Sequence, residues 1–183
     1  MTDIWLVRHG EAAAAFDQDT DPPLSDLGRE QAATSAECLS RCVPDDAQLL
    51  TSPKLRAIQT GEPFAALRES PLDIDRRFIE LPSPAALTVR KDWIQRVLKG
   101  RWSELPELVH NWQHDIVATI QAFQTPTVIF SHFLVINTVA AYMSGEDKVL
   151  QCLPANGSVH HLLVDEGSWQ WVQRGEMLQS VVN

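Results

Sequence analysis

Long apolar runs are missing from this chain. Nothing in its 183 residues approaches the ~18 consecutive apolar positions of a membrane-crossing helix, so no span is expected. A basic start followed by a long apolar region is also missing, so no secretion signal is expected and the expected location is a reducing cytoplasm. Cysteine is scarce: Cys38, Cys42 and Cys152 are odd in number and lack paired metal spacing. Cys38 and Cys42 stand four apart in a helical pattern, which predicts buried free thiols on one face rather than ligands. Positive charge is short as well. Fifteen Lys and Arg face 24 Asp and Glu, for a net charge of −9. That balance opposes nonspecific contact with nucleic acid or an anionic membrane, while leaving room for a local basic pocket. Internal repeats, low-complexity tracts and linkers are absent too. What is left is a chain of ordinary size, 44% hydrophobic, expected to form one domain over residues 1–183 with a full core.

What is present begins with Asp3-Ile4-Trp5-Leu6-Val7-Arg8-His9-Gly10-Glu11. Ile4–Val7 is an apolar run too short for a helix and suited to a strand buried on both faces. A charged pair and a glycine follow at once. Ligands of open α/β sheets sit at the carboxyl ends of strands, so this is a good place for chemistry. Ala12 to Pro23 reads as a loop, rich in Asp and Pro. Ser25 then suits an N-cap, with Leu27, Ala32, Ala36 and Leu39 at helical spacing to about Cys42. Ala47–Thr51 is a second strand candidate. Ser52-Pro53 is expected to open a helix, proline in its first turn, that holds Arg56, Thr60 and Phe64 and runs to about Leu67.

Pro71–Ile74 reads as a third strand, ahead of Phe78-Ile79-Glu80. The prolines at 82 and 84 must leave regular structure. Residues 85–124 are expected to be mostly helical, two helices broken near Gly100 or Pro106, as an insert that could cover a site. Thr127–Ser131 is a fourth strand. His132 follows it, and Val135, Val139 and Tyr142 suit a helix. Ser158–Val164 and Trp169–Arg174 are two more strands, joined by a turn at Asp165–Ser168. Strands alternating with helices point to a three-layer α/β domain with a largely parallel sheet.

If those strands are parallel, Arg8, His9, Arg56, Glu80 and His132 converge on one sheet edge. Their chemistry is coherent. Arginine forks match phosphoryl oxygens, neutral imidazole can attack phosphorus, a second histidine can hold equatorial oxygens, and a carboxyl group can protonate a leaving alkoxide. The arginines supply the positive charge, so neither metal nor cofactor is expected. Two other histidine pairs compete. His110 and His114 share a helix face, but Asn111-Trp112-Gln113 between them lacks the glutamate of a zinc-protease motif, and a solvated face is expected. His160 and His161 are adjacent in a strand, point to opposite faces and are read as structural. Trp93, Trp102 and Trp112 are expected to pack the insert onto the sheet, with one of them a candidate to line the entrance to the site. Arg76, Arg77, Arg90 and Lys91 read as surface charge, one of them a candidate for a second anionic group.

The residues Arg8-His9-Gly10-Glu11, Pro23-Leu24-Ser25-Asp26-Leu27-Gly28, Thr51-Ser52-Pro53-Lys54-Leu55-Arg56-Ala57, Phe78-Ile79-Glu80, Ser131-His132 and Asn156-Gly157-Ser158-Val159 resemble the histidine phosphatase (phosphoglycerate mutase-like) superfamily, in a small bacterial-type single-domain form. The resemblance implies an α/β/α sandwich with a mostly parallel sheet. It implies that His9 is the nucleophile that becomes phosphohistidine, that Arg8, Arg56 and His132 complete the phosphate pocket, and that Glu80 is the proton donor. Two positions depart from the pattern. Phe133 stands where many members have glycine, and Ala12–Phe16 lack an asparagine that usually contacts phosphate. Phe133 and Phe16 are therefore candidates for the substrate pocket. The expected activity is hydrolysis of a phosphomonoester, with a phosphorylated small molecule ahead of a phosphoprotein as substrate. A phosphoglycerate mutase-type transfer, a phosphohistidine phosphatase and a non-catalytic phosphate-binding module remain alternatives.

Overall fold

In the computed structural model, which describes residues 1–15, 18–82 and 87–179, the first strand, β1 (Thr2–Arg8), divides the core in two. Ile4 and Leu6 face one apolar cluster, while Trp5 and Val7 face the other. Both faces of the strand are thus covered, and this is why its sequence is an unbroken apolar run rather than an alternation. Around it lie α1 (Asp26–Ser40), β2 (Gln48–Thr51), α2 (Leu55–Arg68) and β3 (Asp73–Ile74). Then come α3 (Leu87–Lys99), α4 (Glu107–Ala122), β4 (Thr127–Ser131), α5 (Phe133–Ser144), β5 (Val159–Asp165) and β6 (Ser168–Gln173). The sheet order is β3-β2-β4-β1-β5-β6. Pairings among β3, β2, β4 and β1 are parallel, whereas β5 and β6 run antiparallel as a hairpin. Gly167, at a φ of 80°, makes the tight turn of that hairpin. The expected three-layer architecture is present.

Several boundaries differ from the sequence reading. Ser25 does cap α1, its hydroxyl accepting from the Gly28 N–H at 3.0 Å, but the helix stops at Ser40. Cys38 and Cys42 are exposed, not buried, because the inward face of α1 is taken by Gly28, Ala32, Ser35, Ala36 and Leu39. Helix α2 begins at Leu55 with Lys54 as its N-cap, so Pro53 precedes the first turn instead of entering it. Strand β3 is only two residues long, on the sheet edge, where nothing covers its side chains. Chain 85–124 holds α3 and α4, separated by a short 3-10 turn at Trp102–Glu104.

The close approach that shapes the site is made by two glycines. A Cβ on Gly10 would lie 2.4 Å from the Gly28 carbonyl oxygen, and one on Gly28 would lie 2.1 Å from the Glu11 carbonyl oxygen. Only glycine at both places lets the start of α1 press against the loop after β1. The Gly10 and Gly28 positions of the two motifs are therefore one packing contact.

Candidate active site

Parallel register brings the strand ends together. Arg8 pairs with Ser131 and Thr51 with Phe130, so His9, Ser52 and His132 all leave the sheet at one edge. The backbone ties continue past the strands, with the His9 N–H donating to Ser131 at 2.9 Å and the Ser52 N–H to Phe130 at 2.9 Å. Glu80 arrives by a different route. After β3 a 3-10 turn, Arg76–Phe78, swings the chain under β4, and the Ser131 hydroxyl donates to the Phe78 carbonyl at 2.8 Å. The Trp112 indole N–H of α4 holds the Ile79 carbonyl at 3.0 Å. Glu80 is the next residue.

At the centre the imidazole of His9 has both nitrogens engaged. Nδ1–H donates to the Gly10 carbonyl at 2.7 Å, and Nε2 accepts from Arg56 Nε at 3.1 Å. That pattern assigns the proton to Nδ1 and leaves the Nε2 lone pair facing Arg56. The Gly10 N–H in turn donates to Thr60 Oγ1 at 3.0 Å, and Asn156 Nδ2 donates to the His9 carbonyl at 3.2 Å. The His132 ring lies 5.2 Å from that of His9, nearly edge-on, and is 0% exposed. Its Nδ1 accepts from Arg56 Nη2 at 3.4 Å, so Nε2–H is the side that meets Ser52 Oγ at 2.6 Å. Desolvation, reinforced by Arg56 and other neighbours, holds both imidazoles well below their ordinary pKa. Both are neutral near pH 7.

The cations are bare in a different sense. Burial lowers the pKa of Arg8 to about 10, against the opposing pull of Glu80. Arg8 Nη1 donates to the Pro154 carbonyl at 2.6 Å, its Nε has no partner, and its guanidinium carbon lies 5.1 Å from the centre of the Phe133 ring. Arg56 has its pKa lowered by burial, against the pull of Glu80 and of Asp21, and among the described residues its one ion pair is to Asp21 at 4.0 Å. A buried donor without an acceptor is costly, and an anion relieves it. Glu80 sits at the side of this group. Burial pushes its carboxyl pKa up, while the Leu81 N–H, Arg56 and Arg8 oppose the shift.

Four of the five expected site residues, Arg8, His9, Arg56 and Glu80, line one cleft of about 1080 Å³; His132 does not line it and joins the group through Arg56 and the His9 ring. Phe133 lines it too; Phe16 lies outside the described residues. Of the tryptophans, Trp93 borders the cleft, while Trp102 and Trp112 are buried against the sheet. Of the four doubtful basic residues, Arg90 borders it. His110 is exposed and bonds the Trp102 carbonyl at 2.8 Å, and among the described residues no group of His, Cys, Asp and Glu is arranged around a metal. His160 is fully buried between Ser158 Oγ at 2.8 Å and the Gly175 N–H at 3.1 Å. His161 stacks on Trp5 and meets Asp3 at 2.7 Å. Sequence reading missed Ser52 as the partner of His132, together with Asn156, Thr60 and Asp21. Ser52 could have been found by position, since it too follows a strand directly.

A basic, buried pocket at the carboxyl edge of a parallel sheet, built on two neutral histidines, has the chemistry to hold an anion. The chain belongs to the histidine phosphatase superfamily (branch 1), whose family model matches residues 4–176. No curated protein matches it. Among solved structures it is similar to YhfR of Bacillus stearothermophilus, at 21% identity and a TM-score of 0.74, covering 94% of this chain and 96% of that one. It is also similar to a phosphoserine phosphatase of Entamoeba histolytica in complex with 3-phosphoglyceric acid, at 16% identity and a TM-score of 0.74, covering 97% and 98%. A mycobacterial glucosyl-3-phosphoglycerate phosphatase shares 19% identity and a TM-score of 0.70, covering 94% and 98%. These likenesses carry the fold.

Proposed function

We propose that this protein hydrolyses a phosphomonoester through a phosphohistidine on His9. The observation that carries the reading is the state of His9: Nδ1–H is committed to the Gly10 carbonyl, and Nε2 presents a lone pair among Arg8, Arg56 and His132. A phosphoryl group entering there takes over the arginine donors. Nε2 attacks phosphorus, the P–N bond forms, and the P–O bond to the leaving group breaks. The Glu80 carboxyl, kept protonated longer by its burial, gives its proton to the departing oxygen. Water then attacks the phosphohistidine, Glu80 takes its proton, and the P–N bond breaks to release phosphate. His132 holds an equatorial oxygen. To do so it must present Nδ1–H, and Ser52 Oγ, able both to donate and to accept, allows that change of tautomer.

Charge on the phosphoryl oxygens is met by guanidinium groups, so the reading calls for no metal or cofactor. The cleft is lined in part by exposed residues such as Glu11 and Glu30, so water reaches it, which favours hydrolysis over transfer between two hydroxyls of one substrate. The burial of His9 and Arg56 favours a phosphorylated small molecule over a phosphoprotein. The test is release of phosphate from phosphomonoesters by the wild type and by His9→Ala. Turnover by the wild type, with a loss of about 10⁴-fold or more in the variant, is expected. An inactive wild type, or a fully active variant, sinks the reading.

A further inference from the structure

The phosphate pocket occupies a small part of a cleft of about 1080 Å³. The rest of the cleft must accommodate the remainder of the substrate, and its walls are unequal. Part of the lining is mostly apolar, and it reaches Glu80 through Phe133, whose neighbour Leu134 gives its backbone N–H to the Glu80 carboxyl. Trp93, Ile94 and Leu98 come from one face of α3, and Phe133 from the first turn of α5. All four pack against the larger core cluster and remain partly exposed on the cleft side. Glu80 protonates the leaving oxygen in the proposed reaction, so the leaving group must lie against this wall. The Phe133 ring is held there by the Arg8 guanidinium, 5.1 Å away.

The lining also holds acidic residues. Glu11, Glu30 and Glu176 belong to it and are exposed. Besides Arg8 and Arg56, the one cation among the described lining residues is Arg90, which stands on α3 one turn before Trp93 and Ile94 and lies near enough to Arg56 to lower its pKa. Three carboxylates against one guanidinium repel a substrate that carries a second acidic group.

We infer that the substrate is a phosphomonoester of a bulky apolar alcohol with no second acidic group. This rests on the phosphatase reading above and narrows it. An apolar leaving group loses water on the α3 and Phe133 wall, and the phosphoryl group supplies all the charge the floor requires. A glycerate or a bisphosphate would fill the same cleft with unmatched charge.

The test compares kcat/KM for 2-phenylethyl phosphate, glycerol 3-phosphate and 3-phosphoglycerate. The alcohols leaving from these esters are all aliphatic, so a difference reports binding and not intrinsic reactivity. Phenylethyl phosphate is expected to exceed each of the others by about tenfold or more, mostly through KM. Trp93→Ala and Phe133→Ala should each bring that ratio toward one. If one variant does not fold, the other carries the comparison. Hydrolysis of all three esters at similar kcat/KM, or a preference for 3-phosphoglycerate, overturns this inference and leaves the phosphatase reading standing. Hydrolysis of none removes both.

Discussion

The floor of the cleft and its α3 wall are built by opposite means. The floor is polar, buried and over-determined: His9 and His132 have both ring nitrogens bonded, and Arg8, Arg56 and Ser52 are each tied to a strand end or the first turn after one. The wall is apolar and half-exposed, and its residues come from a helix outside the sheet. Hydrogen bonds specify angles as well as distances, whereas apolar contact specifies little beyond shape. A floor made the first way suits one reaction. A wall made the second way can change to suit one leaving group or another while the chemistry below it stays fixed.

Glu80 lies on the seam, and changing it tests the division most sharply after His9 itself. Glu80→Gln keeps the shape of the wall and removes the proton donor. A fall in kcat of about 10²- to 10³-fold is expected, smaller for esters whose leaving group needs no proton. The pH profile should change with it. The wild type needs Glu80 protonated, so its rate falls at high pH, and that fall disappears in the variant. On the acid side the wild type should stay active below pH 6.5, because His9 is held neutral there. An unchanged profile in Glu80→Gln would assign the proton to another group.

Acid should weaken the support of the floor, since His160 is fully buried and its partner Ser158 also accepts from the Arg8 N–H at 3.1 Å. His160 has its pKa lowered from 6.5 to about 4 by burial, with Arg174 adding to the shift. The unfolded chain therefore binds the extra proton first, and stability is lost as pH falls from about 6.5 toward 4. For this group the loss reaches about 3 kcal/mol. Melting temperature followed across that range should drop, and His160→Gln should drop less. Equal slopes in the two proteins would dismiss His160 as the cause.

The smallest expected effect joins the two regions. Trp112→Phe keeps the packing of α4 and removes one hydrogen bond to the Ile79 carbonyl. A loss of about 1 kcal/mol in unfolding free energy is expected. A several-fold fall in kcat should accompany it, since Ile79 leads into Glu80. Stability loss with kcat unchanged would mean that α4 supports the fold without positioning the acid.

The floor could be read from the chain because strand ends announce themselves: a short apolar run stops, and the next residue is polar. Arg8-His9, Ser131-His132 and Ser52 all obey that rule. The helix boundaries were less legible. Pro53 suggested a helix start, yet Asp21 accepts from the Leu55 N–H at 2.9 Å and Lys54 becomes the cap. That contact comes from 34 positions away and leaves no local trace. The cysteines misled for a related reason. A spacing of four says that two residues share a face, not which way the face looks.

Sequence alone determined the strand ends, the alternation of β and α, the five chemical groups and the family to which they belong, because these depend on local order and on residue type. It also determined that Gly10 and Gly28 stand in their motifs, without saying why. Tertiary structure decided that these two glycines touch, that Ser52 and not a carboxylate partners His132, and that Trp93 and Phe133 line the same cleft as Glu80. Each is a contact between segments far apart in the chain. Such contacts depend on how helices pack onto the sheet, and that is settled by the shape of the whole core.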